Sequence, residues 1–551
     1  MFPEARCIDA ACTYLIKLAT EMELSPSLQD ACERWAGRPA LTHRGCTLTY
    51  AGLWARVLAL SWSYRALGIR PGDRVLCQLP ISAEHVIAIG AAWACGAIHV
   101  GADKDLTGPE LSALVARTGA AALIFAPPAD AADPLGSLRI VRAAHPSLLA
   151  IVDGDHGEEE GHGLGRLLST PAPEPRPPAP GGPEDAALLV LTSGTTARPK
   201  LVVETLPALW GKVRLFAGGL TPGPDDVHLM YLPVSHVFGL KLTLMALASG
   251  GRVVTLDRFS PGEALRLARE EKATVLSGTP THLTLLLRRL QHQPDALAGV
   301  RAIAFAAAPP PPALIEELYD RLDARLMHVY GCSEGFVTLT TDRDEIRRGA
   351  AGRTVFRGPA GTPPTGTIAI LDPDQMELLG PGAVGEIAYG SAAPVRYWDD
   401  PVAGVDGWYR TGDLGRLDPA GCLTVSGRLK DVVNRGGLKV ACAEIEAVLA
   451  GHPGVAEGAI AAVPDPVLGE AICACVVPTG PGSPSLAEIR HGLAGRLARH
   501  KLPDELVLLE SLPRSTFGKL DRKALSALVV ESGRPRERLR PEARAITATV
   551  Q

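Results

Sequence analysis

The chain has no uninterrupted apolar run of about eighteen residues, the length at which a helix spans a bilayer, so no membrane span is expected. It has little excess charge of either sign. The 55 basic and 60 acidic residues leave a net −5, without the basic face that nucleic-acid binding demands. A disulfide framework is missing too. The eleven cysteines (Cys7, Cys12, Cys32, Cys46, Cys77, Cys95, Cys332, Cys422, Cys442, Cys473, Cys475) are scattered and odd in number. Cys473 and Cys475 alternate along one apolar run, a spacing for one face of a strand. The first residues, with Glu4, Arg6 and Asp9, lack a basic region followed by an apolar core, so no secretory leader is expected. A reduced, cytoplasmic setting fits these absences. No His/Cys set carries metal-ligand spacing, so zinc is not expected, and no internal repeat is evident.

What the 551 residues do contain is ordinary globular composition, 46% apolar and 21% charged, over a length suited to two or more domains. Apolar residues at helical spacing run from Ala51 to Leu67 and stop at Gly68-Ile69-Arg70-Pro71-Gly72-Asp73. Arg74–Leu79 reads as a buried strand, 83–95 as a helix and Ala97–Val100 as the next strand. The same alternation returns at Ala121–Phe125 and Arg252–Leu256, which predicts an α/β fold with largely parallel sheets covered on both faces. Pro171–Pro183 can form neither helix nor internal strand and is expected as a surface excursion. Val384–Tyr389 and Gly421–Ser426 look like antiparallel strands. The polar, glycine-rich stretch Gly427–Gly437 after them has the make-up of a hinge. The expected division is a large domain over 1–427, a hinge at 428–430 and a small domain over 431–551.

Four clusters carry chemistry. Leu191-Thr192-Ser193-Gly194-Thr195-Thr196-Ala197-Arg198-Pro199-Lys200 follows an apolar strand with four hydroxyls, a glycine and two cations. Hydroxyls and backbone N–H groups donate to phosphate oxygens while the cations neutralise them. It is not G-x-x-x-x-G-K-[ST], since Lys200 follows Pro199 and precedes Leu201. Tyr330-Gly331-Cys332-Ser333-Glu334 sets an aromatic, a hydroxyl and a carboxylate at the end of the strand Leu326–Val329, where open α/β sheets bind ligands. Trp408-Tyr409-Arg410-Thr411-Gly412-Asp413-Leu414-Gly415 offers one carboxylate between glycines, suited to paired ribose hydroxyls. Pro513–Lys523 places Lys519 after Gly518 in a basic loop.

With these motifs in this order, the chain resembles the adenylate-forming superfamily of acyl-CoA synthetases, peptide-synthetase adenylation domains and luciferases. The resemblance runs from about Leu28 to Leu528, through 192–200, Tyr231–Leu240, 330–334, 385–390, 408–415, 427–446 and 513–523. It implies a large N-terminal domain of stacked mixed sheets flanked by helices, with a small β-barrel-like part. A small mobile α+β C-terminal domain would follow. It also implies two half-reactions: ATP and a carboxylate give an acyl-adenylate and pyrophosphate, then the acyl group passes to a nucleophile, commonly a thiol. A carboxylate oxygen is a poor leaving group; bonded to phosphate it becomes a competent one. Charge gathers on the α-phosphate, so cations and donors aimed there should carry catalysis.

The resemblance assigns roles at matching positions. Thr192, Ser193, Gly194, Thr195, Thr196 and Lys200 would hold the β- and γ-phosphates, and Glu334 would ligate Mg²⁺. Tyr330 would flank the adenine, Ser333 the α-phosphate, and Asp413 with Arg428 the ribose. Lys519 would bridge the attacking carboxylate and the α-phosphate. Lys430 would be the pivot of a domain rotation that brings Gly436 and Gly437 to the site, where a pantetheine arm passes close to the backbone. His236 matches an aromatic position at the carboxylate site. Val237, Phe238, Ser277, Gly278, Thr279, Ala306, Gly331 and Thr338 complete the candidate lining.

Departures from the pattern are Ala197 and Leu201 for glycines, Ser333 for threonine, Cys442 for proline, and Ala306-Ala307-Ala308 for a segment that normally includes glycine and touches the adenine. Leu232–His236 has no acid of the kind that pairs with an α-amino group, so a substrate without that ammonium is expected, an aryl or modest acyl acid. The reading is an AMP-forming acid–thiol ligase using ATP, Mg²⁺ and coenzyme A, active as monomer or homodimer. No carrier serine follows residue 523, so a carrier protein would act in trans. A freestanding adenylation enzyme that loads a carrier phosphopantetheine or another nucleophile is the alternative, and a non-catalytic ATP-binding homologue is the third reading.

Overall fold

The computed structural model describes residues 24–128, 132–154, 160–175, 177, 182, 185–192, 200–334, 337–354, 366–391, 396–399, 408–429, 431–435, 438–465, 468–480, 482–494, 496–514, 520–530 and 536–538. The architecture is α/β: a large N-terminal domain of several mixed sheets and helices, then a smaller C-terminal domain. One seven-stranded sheet has the order His162–Gly163, Leu149–Val152, Ala122–Phe125, Arg74–Gln78, Ile98–Gly101, Ala186–Leu191, Leu201–Thr205, and only its last pair is antiparallel. These strands are short unbroken apolar runs because both faces are covered, as parallel sheets require.

The second sheet has nine strands. Pro39–His43, Arg252–Thr255, Val227–Met230, Val275–Gly278, Ala302–Phe305 and Arg325–Gly331 lie parallel, with antiparallel strands at both edges. Their carboxyl ends therefore share one edge. Between the two sheets run helices whose caps are written locally. Ser82 accepts from the His85 amide at the start of Ala83–Ala94, and Thr205 from the Ala208 amide at the start of Leu206–Leu220. Both helices are largely buried and mostly apolar.

A four-stranded antiparallel sheet (Gly366–Leu371, Gly385–Ser391, Trp408–Leu417, Leu423–Arg428) follows. The expected glycine-rich hinge stretch is mostly strand. Leu423–Arg428 ends one sheet and Val432–Arg435 opens the next, because the alternating apolar pair Val432 and Val433 finds a partner in Leu438–Ala441. Only residues 429–431 lie between them, and Lys430 is outside the described residues. The C-terminal sheet has six strands, with Gly469–Pro478 paired to both Val455–Asp465 and Glu505–Leu508. A buried two-pronged ion pair, Arg435 to Asp504 at 2.8 Å for each bond, ties Val432–Arg435 to the residue before Glu505–Leu508. Cys473 and Cys475 do share one face of a strand, and the described cysteines are all free.

Candidate active site

The strand Ala186–Leu191, which precedes the expected phosphate loop, and its return strand Leu201–Thr205 are paired up to Leu191 and Leu201. Beyond them the Thr192 amide donates to the Lys200 carbonyl (2.9 Å), and the Lys200 amide donates to the Thr192 hydroxyl (3.1 Å). The loop thus leaves a closed base, with the Lys200 side chain exposed. Ser193, Gly194, Thr195 and Thr196 lie outside the described residues.

Lys200 turns toward a second segment. Arg396–Trp398 runs beside Leu201–Val203 through backbone bonds, which sets Tyr397 against the loop base. The Lys200 ammonium is 3.4 Å from the Tyr397 hydroxyl and 4.4 Å from its ring centroid, and that hydroxyl donates to Glu334 Oε1 at 3.3 Å. Burial pushes the Tyr397 hydroxyl up, and burial and then the Glu334 charge push Tyr409 up, so both stay neutral donors.

Tyr330 belongs to the strand Arg325–Gly331, which ends two residues later than the sequence run suggested, and it donates to Asp413 Oδ2 at 2.7 Å. Burial, and then Asp413, hold that phenol well above its usual range. Asp413 lies within a strand, where it pairs in register with Arg428; the Arg428 Nε is 3.0 Å from Asp413 Oδ1. Sheet pairing therefore assembles the acid, the guanidinium and the phenol from residues 83 and 15 positions away from Asp413. Ser333 and Glu334 follow Gly331 at the carboxyl edge of the nine-stranded sheet.

The other wall starts at the carboxyl end of Val275–Gly278. Thr279 caps the helix Pro280–Leu290: its hydroxyl accepts from the His282 amide, and its own amide donates to His282 Nδ1. Tyr231, Phe259 and His282 cluster at ring separations of 4.4 to 5.2 Å. A side chain on Gly278 would meet the Tyr231 hydroxyl at 3.0 Å. His236 stands at the amino end of the helix Val237–Ala248, its turn pressed against Gly101, where an added Cβ would come within 2.8 Å of Ser235 Cα. Phe238 meets Phe216 edge-on at 6.0 Å. Ser277 is buried, and Ala306 follows the neighbouring strand. Thr338 differs from the expected lining: it is fully buried and donates its hydroxyl to the Ala351 carbonyl at 2.5 Å, on a strand flanked by Arg325–Gly331 and Arg353–Thr354.

Two residues escaped the sequence reading. Tyr397 is one. The other is Lys241, one helical turn beyond Val237, only 2% exposed in an otherwise apolar helix. Next to it lies the buried pair Lys212–Glu204 (2.5 Å). Burial, and then the Lys212 charge, pull the Lys241 ammonium down to about 7, and it lies within electrostatic reach of Cys332. A lone charge in Val237–Ala248 was the available signal.

The C-terminal domain reaches this edge through Arg514, whose guanidinium contacts the Thr281 hydroxyl at 3.5 Å and Glu457 at 2.6 Å. Arg514 bridges Leu520, and Lys519 between them lies outside the described residues, as do Gly436 and Gly437. A surface depression of about 500 Å³ around Tyr319, Arg325 and Arg343 sits at the amino end of Arg325–Gly331, a strand length from this chemistry.

Residues 28–396 match the model of the AMP-binding enzyme family, and 444–519 match that of the AMP-binding enzyme C-terminal domain. The chain belongs to the AMP-binding enzyme family. It is an adenylate-forming acid–thiol ligase of the AMP-forming type. Triostin synthetase I of Streptomyces triostinicus is 34% identical, covering 93% of this chain and 95% of its own. The 2-hydroxy-7-methoxy-5-methyl-1-naphthoate–CoA ligase of Streptomyces carzinostaticus is 33% identical, covering 92% of each. The crystal structure of ATP-bound MatB from Rhodopseudomonas palustris superimposes with a TM-score of 0.78 at 26% identity, covering 90% of this chain and 98% of that one.

Proposed function

We propose that this ligase activates an aryl carboxylic acid bearing a second hydrogen-bonding group, such as a ring hydroxyl, and passes it to coenzyme A. The observation that carries the substrate class is Lys241. The Lys212–Glu204 pair is neutral as a unit, so Lys241 is an extra buried cation beside the wall built by Val237 and Phe238. A substrate hydroxyl or oxyanion would meet it, whereas a plain hydrocarbon would leave it unpaired. The relative that acts on a 2-hydroxynaphthoate supports the same class.

Thr192, Lys200 and the residues of 193–196 would grip the β- and γ-phosphates. Tyr330 and Ala306 would border the adenine; Asp413, oriented by Tyr330 and Arg428, would accept from the ribose hydroxyls. Glu334 offers the hard oxygen that suits Mg²⁺, which when bound neutralises charge on the leaving pyrophosphate. Ser333 would donate to the α-phosphate, and His236 would line the carboxylate. Domain boundaries near 427 and 431, with Lys430 as pivot, would let Lys519 enter for adenylation and Gly436–Gly437 for thiol transfer.

Pyrophosphate release across benzoate, 2-hydroxybenzoate, hydroxynaphthoates and fatty acids, with and without coenzyme A, tests the reading. Hydroxylated aryl acids should lead, with coenzyme A consumed. Release without coenzyme A consumption would point to a carrier protein, and none with any acid, despite ATP binding, to a binding homologue. Lys519→Ala should lower adenylation by roughly 10²-fold or more while sparing thiol transfer from a preformed adenylate. Unimpaired pyrophosphate release in that variant would remove Lys519 from the first half-reaction.

A further inference from the structure

Cys77, His85 and His99 stand far from metal-ligand spacing in the sequence, yet the fold brings them together. Cys77 and His99 lie on the adjacent parallel strands Arg74–Gln78 and Ile98–Gly101, and His85 on the helix Ala83–Ala94 packed against them. The three are 0%, 1% and 0% exposed, and one donor atom from each lies within 4.8 Å of the other two. The imidazole rings are 5.6 Å apart. His85 Nδ1 donates toward the Leu79 and Pro80 carbonyls at 3.1 and 3.2 Å, which leaves Nε2 with a bare lone pair. That Nε2 and both ring nitrogens of His99 are buried without a hydrogen-bond partner. Buried polar atoms are almost always satisfied, so these nitrogens beside one thiol call for an occupant, and a single ion would take His85 Nε2 and one of the two His99 nitrogens.

We propose that Cys77, His85 and His99 form a buried site for a single soft d¹⁰ metal ion, and that the ion is Cu(I). The donor set is one thiolate and two neutral imidazoles, which suits Cu(I) and Zn(II) and disfavours hard cations. The carbonyl-anchored His85 Nδ1 is the outer-shell hydrogen bond that orients a metal-bound imidazole. Charge separates the two metals. On binding, Cys77 releases its thiol proton to solvent. Cu(I) with one thiolate is then neutral, whereas Zn(II) would keep a net positive charge in an apolar core. Structural zinc also takes four protein ligands, and this group supplies three. Asp153 interacts electrostatically with Cys77 but is not part of the donor group. Both strands continue to the catalytic edge, Gly101 against Ser235, so the metal would brace the backing of the His236 turn.

The test is metal content of the full chain expressed with copper and zinc both supplied, then desalted under reducing, metal-free conditions. About one equivalent of metal per chain is expected, copper in preference to zinc, and it should vanish in His99→Val, whose side chain suits the apolar surroundings. X-ray absorption of the wild type should show one sulfur near 2.3 Å and nitrogens near 2.0 Å, and needs no variant to fold. One equivalent of zinc with copper excluded would overturn the choice of metal. Retention below about a tenth of an equivalent of either metal, or equal retention in His99→Val, would overturn the site.

Discussion

Ala307 has a backbone φ of 79°, in the left-handed region where the resemblance leads one to look for glycine. A Cβ in that conformation costs about 1 kcal/mol. Ala307→Gly should stabilise by up to about 1 kcal/mol, less what glycine returns to the unfolded chain, measured as a urea midpoint. Lys241 supports a sharper prediction. Its folded value of about 7 lies below the free 10.5, so between them the unfolded chain holds a proton that the folded one lacks. Stability therefore rises with pH through that window, and below 7 the full penalty of a buried charge remains. Lys241→Met should stabilise at pH 6 by on the order of 1–4 kcal/mol, with a smaller gain at pH 9. The same variant should raise KM for a hydroxylated aryl acid about tenfold while leaving benzoate unchanged.

At the scale of elements, the site is a meeting of strand ends. Short apolar runs such as Ala186–Val190 and Arg252–Leu256 were legible as strands because both faces are buried and no polar alternation confuses them. The stretch from Gly427 to Gly437 has the glycines and charges expected of a hinge, and its strand content was not legible in them. Pairing partners, invisible in a local window, make most of it strand. Tyr397 was missed for the same reason: its importance comes from the backbone pairing of Arg396–Trp398 with Leu201–Val203. That pairing carries a hydrogen-bond path from Lys200 to Glu334. Tyr397→Phe should cut the path without opening a cavity. The expected result is a roughly tenfold loss in kcat/KM for ATP, partly recovered at high Mg²⁺, with KM for the acid unchanged.

At the scale of the whole molecule, burial governs the titration of the core histidines. His228 and His328 are both held down to about 4, His328 with its Nδ1 donating to the Ala350 carbonyl at 2.7 Å. Below their free value of 6.5 the unfolded chain binds protons that these rings refuse, so stability should fall as pH drops from 6.5 toward 4. Denaturant midpoints at pH 7, 6, 5 and 4 would measure it; His328→Gln should flatten the slope by on the order of 1–3 kcal/mol over that range. The sequence by itself determined the reaction class. The hydroxyl-rich loop, Glu334 and Asp413 belong to local motifs whose chemistry depends on residue type and order. Only the tertiary structure decided which groups share a space. Asp413 meets Arg428 by strand register, Lys241 becomes a buried charge by helix packing, and Cys77, His85 and His99 converge from two strands and a helix. Each is a contact across the chain, set by burial and sheet order, which no spacing along the sequence encodes.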